Sequence, residues 1–329
     1  GLLTALTISF WGGVATFIFM IIPIAFLIFW VINTRGLDSK IKNSGLLFYV
    51  FWIIFTFLFC SFFGFDFSNM LNRFLTSNRI FAFAVCGFLF IDRLLIFYES
   101  KLKHGFYDSK YRVFYVSLLL ACAAIFVLPF FGKNFFDLVW GIFNKLLNPF
   151  WGVSRLDTTV AENAQPYLSS WIDNFGKPIF FLFILGIISA AVNFSSKIKD
   201  QKGKYLMIFG FVFISFGVLF SRISPTSILD GSGIFTLSGL LYIFGVCFFI
   251  YAFMKNYFYK KFYVDAISIV VFTWMFVMLV TGRASTRLFF VIGPFVCFLA
   301  AYLVINLINS YRGKIKDDVL SLIVLCILT

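Results

Sequence analysis

Arg112-Val113-Phe114-Tyr115-Val116-Ser117-Leu118-Leu119-Leu120-Ala121-Cys122-Ala123-Ala124-Ile125-Phe126-Val127-Leu128-Pro129-Phe130-Phe131 carries no charged residue after its first position. About 20 apolar residues in an α-helix cross a bilayer's hydrocarbon core. In that core every backbone N–H and C=O must be satisfied within the protein, so a span of this kind is helical. Runs of the same length recur at about 12–33, 45–64, 79–98, 177–195, 204–221, 234–254, 263–281 and 286–309. Together with 112–131 they predict nine full spanning helices, with partial ones at either end. The fold class expected is an all-α polytopic membrane protein, a multi-helix transmembrane bundle interrupted by one long loop.

Composition points the same way, with 61% hydrophobic and 12% charged residues against about 25% charged in an ordinary soluble domain. The 52 Phe residues then serve lipid contact and helix packing, and no single Phe stripe marks a site. A formal charge of +13 would suggest nucleic acid in a soluble protein. Here the basic residues fall in short clusters between apolar runs, which orientation in a membrane explains better, so lipids and not nucleic acid are the expected surroundings. Cys60, Cys86, Cys122, Cys247, Cys297 and Cys326 lie in or beside apolar runs with no CxxC spacing, which indicates neither zinc nor a disulfide framework.

Alternate connections differ in charge. One set holds Arg35, Lys40 and Lys42; Lys101, Lys103, Lys110 and Arg112; Lys197, Lys199, Lys202 and Lys204; Lys255, Lys260 and Lys261; and Arg312, Lys314 and Lys316. The other holds Arg73 and Arg79; Lys133, Lys145 and Arg155; Arg222; and Arg283 and Arg287, although it includes the longest loop. The positive-inside rule makes the first set cytoplasmic. Loop 132–176, loop 222–233 and turn 282–286 then share the outer face. The chain divides as 1–131 (helices), 132–176 (outward loop) and 177–329 (helices). It opens with no basic leader before its first apolar stretch and stops partway through an apolar run starting near Val319, which suggests a piece of a longer protein.

The long loop needs a reason to exist beyond lipid solubility. Its segment Phe135–Leu147 reads as an interfacial amphipathic helix, stopped at Asn148-Pro149. Beyond it lies Asp157-Thr158-Thr159-Val160-Ala161-Glu162-Asn163-Ala164-Gln165-Pro166, held near the headgroup depth where a lipid-linked substrate would sit. Glu162 is one of four loop acids, with Asp137, Asp157 and Asp173. A carboxylate there can bind a hard cation or accept a substrate N–H, and it can equally be plain solvated surface.

The turn Gly282-Arg283-Ala284-Ser285-Thr286-Arg287 is more anomalous, because outward arginine at a hydrocarbon edge is costly unless it snorkels or pairs. Planar guanidinium groups match phosphate oxygens, so a lipid phosphate or diphosphate is a reasonable partner, with headgroup anchoring the alternative. Asp92-Arg93 lies inside a span but near its cytoplasmic end, where snorkelling or mutual pairing is expected ahead of a proton or ion site. The loop from Arg222 to Gly233 either lines the same vestibule as Glu162 or is a plain hairpin connection. His104, the only histidine, lies in a cytoplasmic loop and rules out a Ser-His relay outside.

Thr159-Val160-Ala161-Glu162 followed by Gln165-Pro166 resembles the Thr-Ile/Val-x-Glu motif of the catalytic subunit of oligosaccharyltransferase in its archaeal and bacterial form. Trp11-Gly12-Gly13 after Gly1-Leu2-Leu3-Thr4 is similar to that family's Trp-Gly-Gly stretch. Arg287-Leu288-Phe289-Phe290 through Pro294-Phe295-Val296-Cys297 is similar to its Arg-Leu-containing late helix. The resemblance implies a membrane glycosyltransferase of the GT-C type in a plasma membrane, with its active site outside. It would move an oligosaccharide from a polyprenyl or dolichyl (pyro)phosphate carrier to asparagine in an Asn-x-Ser/Thr sequon of an acceptor polypeptide.

Under that resemblance Glu162 would ligate a divalent metal, Mg2+ or Mn2+, and with Thr159 hold the acceptor. Arg287 would bind the carrier's phosphates, with Arg283 a rival for that role. The family's first-loop aspartate, Asp-x-Asp-type ligands and sequon-reading motif are absent here, so this piece alone is expected to be inactive. Four apolar runs separate Glu162 from Arg287, more than the family usually has, and 204–221 with 234–254 looks like an inserted hairpin. The alternatives are another polyprenyl-phosphate-sugar glycosyltransferase and, further off, a lipid-linked-sugar flippase, which should show paired broken helices near the midplane or internal repeats.

Overall fold

The computed structural model describes residues 1–10, 12–33, 39–76, 79–102, 112–147, 165–196, 198, 200–231, 235–259 and 264–312. Among these residues every regular element is helical, and nine helices are long and apolar enough to cross a membrane. The nine spans coincide one for one with the apolar runs of the sequence. This is a multi-pass helical membrane protein. The apolar stretch after Val319 lies outside the described residues.

The chain forms two units, Gly1–Asn144 with Asp265–Thr273, and Lys145–Val264 with Trp274–Thr329. The first contains α1 (Leu2–Phe10), α2 (Gly12–Asn33), α3 (Ser39–Phe62), α4 (Phe67–Thr76), α5 (Ile80–Leu102), α6 (Arg112–Val127) and most of α7 (Phe135–Leu147). Its core is aromatic. Phe19 meets Phe74 edge-on at 4.7 Å between centroids and Trp52 at 5.5 Å, and Phe57 joins Phe74 at 4.7 Å. Offset and edge-on pairs of this kind add to the dispersion that packs helices when lipid supplies little hydrophobic drive.

Helix α7 falls where the amphipathic pattern predicts one, and the Asn134 side chain accepts the N–H of Phe136 at its start. Phe136, Val139 and Trp140 remain exposed, as an interfacial helix requires. Helix α4 is not evident from the run pattern. Its Met70 and Phe74, one turn apart, are both buried, and Asp66 caps it by accepting the Asn69 N–H at 2.9 Å.

Asp92, on α5, is only 2% exposed. It takes a bidentate ion pair from Arg112 at the start of α6 and a 2.8 Å hydrogen bond from Trp30 Nε1 on α2. Its sequence neighbour Arg93 instead donates to Asn43. Asp92 therefore ties three helices through an ion pair with a residue 20 positions away, a partner that its adjacency to Arg93 does not suggest. Removing one partner of a buried pair strands the other, so Asp92→Ala is expected to destabilise the protein by about 3 kcal/mol, read as a lowered Tm of the detergent-solubilised protein.

The second unit holds α8 (Leu168–Phe175), α9 (Lys177–Ser195), α10 (Gln201–Phe220), α11 (Leu237–Tyr259), the end of α12 (Ala266–Ala284) and α13 (Phe289–Arg312). Glycines set its close approaches. A Cβ on Gly186 of α9 would lie 2.3 Å from the Leu299 carbonyl oxygen of α13, and one on Gly245 of α11 would lie 2.7 Å from that of Phe213 on α10. Small residues in spans act here as packing residues. Polar pairs reinforce them, Asn193 donating to Tyr302 and Asn306 to Ser189 at 3.2 Å.

Candidate functional site

Helix α8 follows the motif loop and is amphipathic, with Trp171 fully buried. The indole packs on Phe289 at 4.9 Å and stacks parallel to Phe183 at 6.4 Å. Gly282 makes room for it, since a Cβ there would stand 2.4 Å from Trp171 Cη2. Trp171 thereby pins the residues just before α8 beside the end of α12 and the start of α13.

Those residues begin at Gln165. Its Oε1 accepts from Arg222 Nη1 at 2.6 Å and from Arg283 Nη1 at 3.2 Å. Arg283 occupies the last turn of α12, where the helix dipole favours a cation, and is 1% exposed. Its Nε donates to Ser221 Oγ at 3.2 Å, and Ser221 in turn donates to the Val218 carbonyl. Arg222 follows α10, lies 4.2 Å over the Tyr167 ring and accepts the Leu168 N–H at its own carbonyl. Loop, α10 end and α12 end are thus fastened at one point.

The segment after Arg222 closes over the pair. Ile223 N–H donates to the Leu229 carbonyl at 2.7 Å, and Gly231 N–H donates to the buried Ser238 hydroxyl at 3.1 Å. Gly231 has φ +76°, and a Cβ on it would stand 2.7 Å from Arg283 Nη2 and 3.0 Å from Arg222 Cδ. Both the backbone conformation and the space demand glycine. Gly231→Ala is expected to cost about 2 kcal/mol and to displace both arginines, measured as a lower Tm.

Two guanidinium groups sharing one oxygen repel; unit charges a few ångströms apart oppose each other by on the order of 4 kcal/mol at an effective dielectric of 20. A fold that holds them together is suited to an anion with several oxygens.

The sequence-predicted residues fare differently. Arg283 is in the cluster. Arg287 is exposed, in the 3-10 turn Thr286–Leu288, where its backbone N–H is held by Ser285 Oγ at 3.3 Å. Thr159 and Glu162 lie outside the described residues, as does His104. In loop 222–233, Arg222 is joined through Gln165 to Arg283, while Glu162, which the vestibule reading needs, lies outside the described residues. The signal available for Arg222 was its rarity, as the single cation of the connection between α10 and α11. Among the described residues no group of three His, Cys, Asp or Glu side chains gathers, and Glu162, the metal ligand that the resemblance implies, lies outside them.

Gln165, Arg222, Gly231 and Arg283 meet at one end. At the other end, the first turn of α10 meets the last turns of α11 through Asn256, which donates to the Gly203 carbonyl at 3.1 Å. No family model, no curated protein and no solved structure matches this chain.

Proposed function

We propose that this chain is the membrane part of a glycosyltransferase that transfers a glycan from a polyprenyl or dolichyl (pyro)phosphate carrier to asparagine in sequons, an oligosaccharyltransferase catalytic subunit of the GT-C type in a plasma membrane. The observation that supports it most is the bridge from Gln165 to Arg222 and Arg283. Glu162 stands three residues before Gln165, a separation that an extended chain spans in about 11 Å. A carboxylate for the acceptor and guanidinium groups for the leaving phosphate are therefore tethered to one region of the chain.

The chemistry asks for both. An amide nitrogen is a poor nucleophile because its lone pair is delocalised. Accepting its N–H bonds at Glu162, with Thr159 beside the acceptor, polarises it toward the anomeric carbon. The C–N bond forms as the anomeric C–O bond breaks, the amide proton passes to a base or solvent, and the departing phosphate takes the electron pair. Arg283 and Arg222 stabilise the charge developing on that phosphate. A divalent ion, magnesium or manganese, would share Glu162 as an oxygen ligand.

The test uses the full-length protein with a lipid-linked oligosaccharide and two peptides, one with Asn-x-Thr and one with Gln in place of Asn. Glycopeptide from the first alone supports the reading. Sugar delivered to a hydroxyl or lipid acceptor, or no transfer from an intact donor, contradicts it.

A further inference from the structure

Helices α10 and α11 pack antiparallel along one close seam. A Cβ on Gly203 of α10 would stand 2.4 Å from Asn256 Oδ1, one on Gly210 would stand 3.1 Å from Ala252 Cβ, and one on Gly217 would stand 3.1 Å from the Leu241 carbonyl oxygen. This register fixes which side chains flank the seam. Because the helices run in opposite directions, residues one position before the seam on each fall on the same side of it, and residues one position after fall on the other. Lys202 and Lys255 therefore share one side, and Lys204 and Tyr257 the other.

The side with Lys202 and Lys255 is open along its length. Phe213, eleven residues and about three turns beyond Lys202, meets Phe244 edge-on at 5.5 Å and Phe248 at 5.4 Å across the seam. Phe244, Phe248, Tyr251 and Lys255 then follow one another at helical spacing along α11. Lys202, Phe213, Phe244, Tyr251 and Lys255 are all exposed. The face is thus an aromatic strip with two ammonium groups at one end.

That end is shaped for phosphate oxygens. A side chain in the last turns of a helix leans back toward the N-terminus, and Lys255 Nζ reaches Tyr251 OH at 3.3 Å, 5.5 Å from the ring centroid. The ammonium keeps further N–H donors, and the hydroxyl that accepts from it has its own proton to donate. The connections at this end hold Lys197, Lys199, Lys202 and Lys204, then Lys255, Lys260 and Lys261, so the positive-inside rule sets it in the cytoplasmic leaflet, where anionic lipids gather. From Lys255 to Phe244 the helix rises about 16 Å, about the hydrocarbon depth of one leaflet.

We propose that this face of the α10 and α11 pair seats an anionic phospholipid of the cytoplasmic leaflet, its phosphate on Lys202, Lys255 and the Tyr251 hydroxyl and its acyl chains along Phe248, Phe213 and Phe244. Two ammonium groups against one phosphate favour a headgroup that brings no cation of its own. The site lies at the opposite end of the hairpin from Arg222 and does not depend on the glycosyltransferase reading.

The test titrates the full-length protein, in a mild detergent, with phosphatidylglycerol, phosphatidylcholine and glycerol 3-phosphate, counting bound lipid by native mass spectrometry. The tightest phosphatidylglycerol is expected to bind about tenfold or more tightly than phosphatidylcholine, and the double variant Lys202→Gln, Lys255→Gln to abolish that preference. Its lipid-free Tm should stay unchanged, since both side chains are exposed. Tyr251→Phe, which keeps the ring, is expected to weaken phosphatidylglycerol severalfold, and Lys204→Gln, on the other side of the seam, to leave it unaltered.

A preference that survives the double variant, or that Lys204→Gln removes as fully, overturns the site, as does equal binding of the two lipids by the wild type. Displacement of phosphatidylglycerol by equimolar glycerol 3-phosphate overturns the role of the aromatic strip and with it the lipid assignment.

Discussion

Arg283→Ala is expected to lower kcat/KM for the lipid donor by at least about 100-fold, the size of losing one preorganised donor at a developing charge, while the KM for acceptor peptide stays within about twofold. The separation follows from position. Arg283 is buried at the end of α12 and tied to Ser221 and Gln165, so its charge is little screened and its geometry is fixed. The variant should still fold, because Ser221 keeps its bond to the Val218 carbonyl and Gln165 keeps Arg222. Arg287→Ala, made in parallel, is expected to weaken use of the lipid donor by far less, since Arg287 is exposed and an exposed charge is screened by solvent. An effect of Arg283→Ala confined to peptide affinity, or a larger loss from Arg287→Ala, would move the phosphate site away from the cluster.

Glu162→Gln should reduce transfer to a sequon peptide by about 100-fold or more, with expression and lipid-donor binding unchanged. The substitution keeps size and replaces one acceptor oxygen with an NH2 donor, so it removes the acceptor capacity and charge that polarise the substrate amide and attract a divalent ion. Initial rates at saturating donor, with glycopeptide quantified by mass, read the effect directly. Unaltered turnover would reject the assigned role.

The spans were legible because hydrocarbon imposes one rule on every segment that crosses it. Length and apolarity alone located the nine spans found among the described residues. What escaped was shorter. Helix α4 and helix α8 lie between spans and announce themselves only through pairs one turn apart, Met70 with Phe74 and Trp171 with Phe175. The site was legible by halves. Arg283 stood out as an arginine at a hydrocarbon edge, whereas Arg222 sat in a stretch rich in turn residues, and nothing in the spacing of Gln165, Arg222 and Arg283 shows that they share one oxygen. That contact depends on how α10, α12 and the motif loop pack, and is a property of the assembled fold. Asp92 carries the same lesson, since adjacency suggested Arg93 and the helices delivered Arg112.

The most direct test of the account is a cryo-electron microscopy map of the full-length protein with an unreactive polyprenyl diphosphate bound. The account predicts phosphate density within hydrogen-bonding distance of both Arg222 and Arg283, with the Glu162 segment bordering the same cleft. Density held elsewhere, at Arg287 alone or at the end of the bundle that carries Asn256, would contradict it.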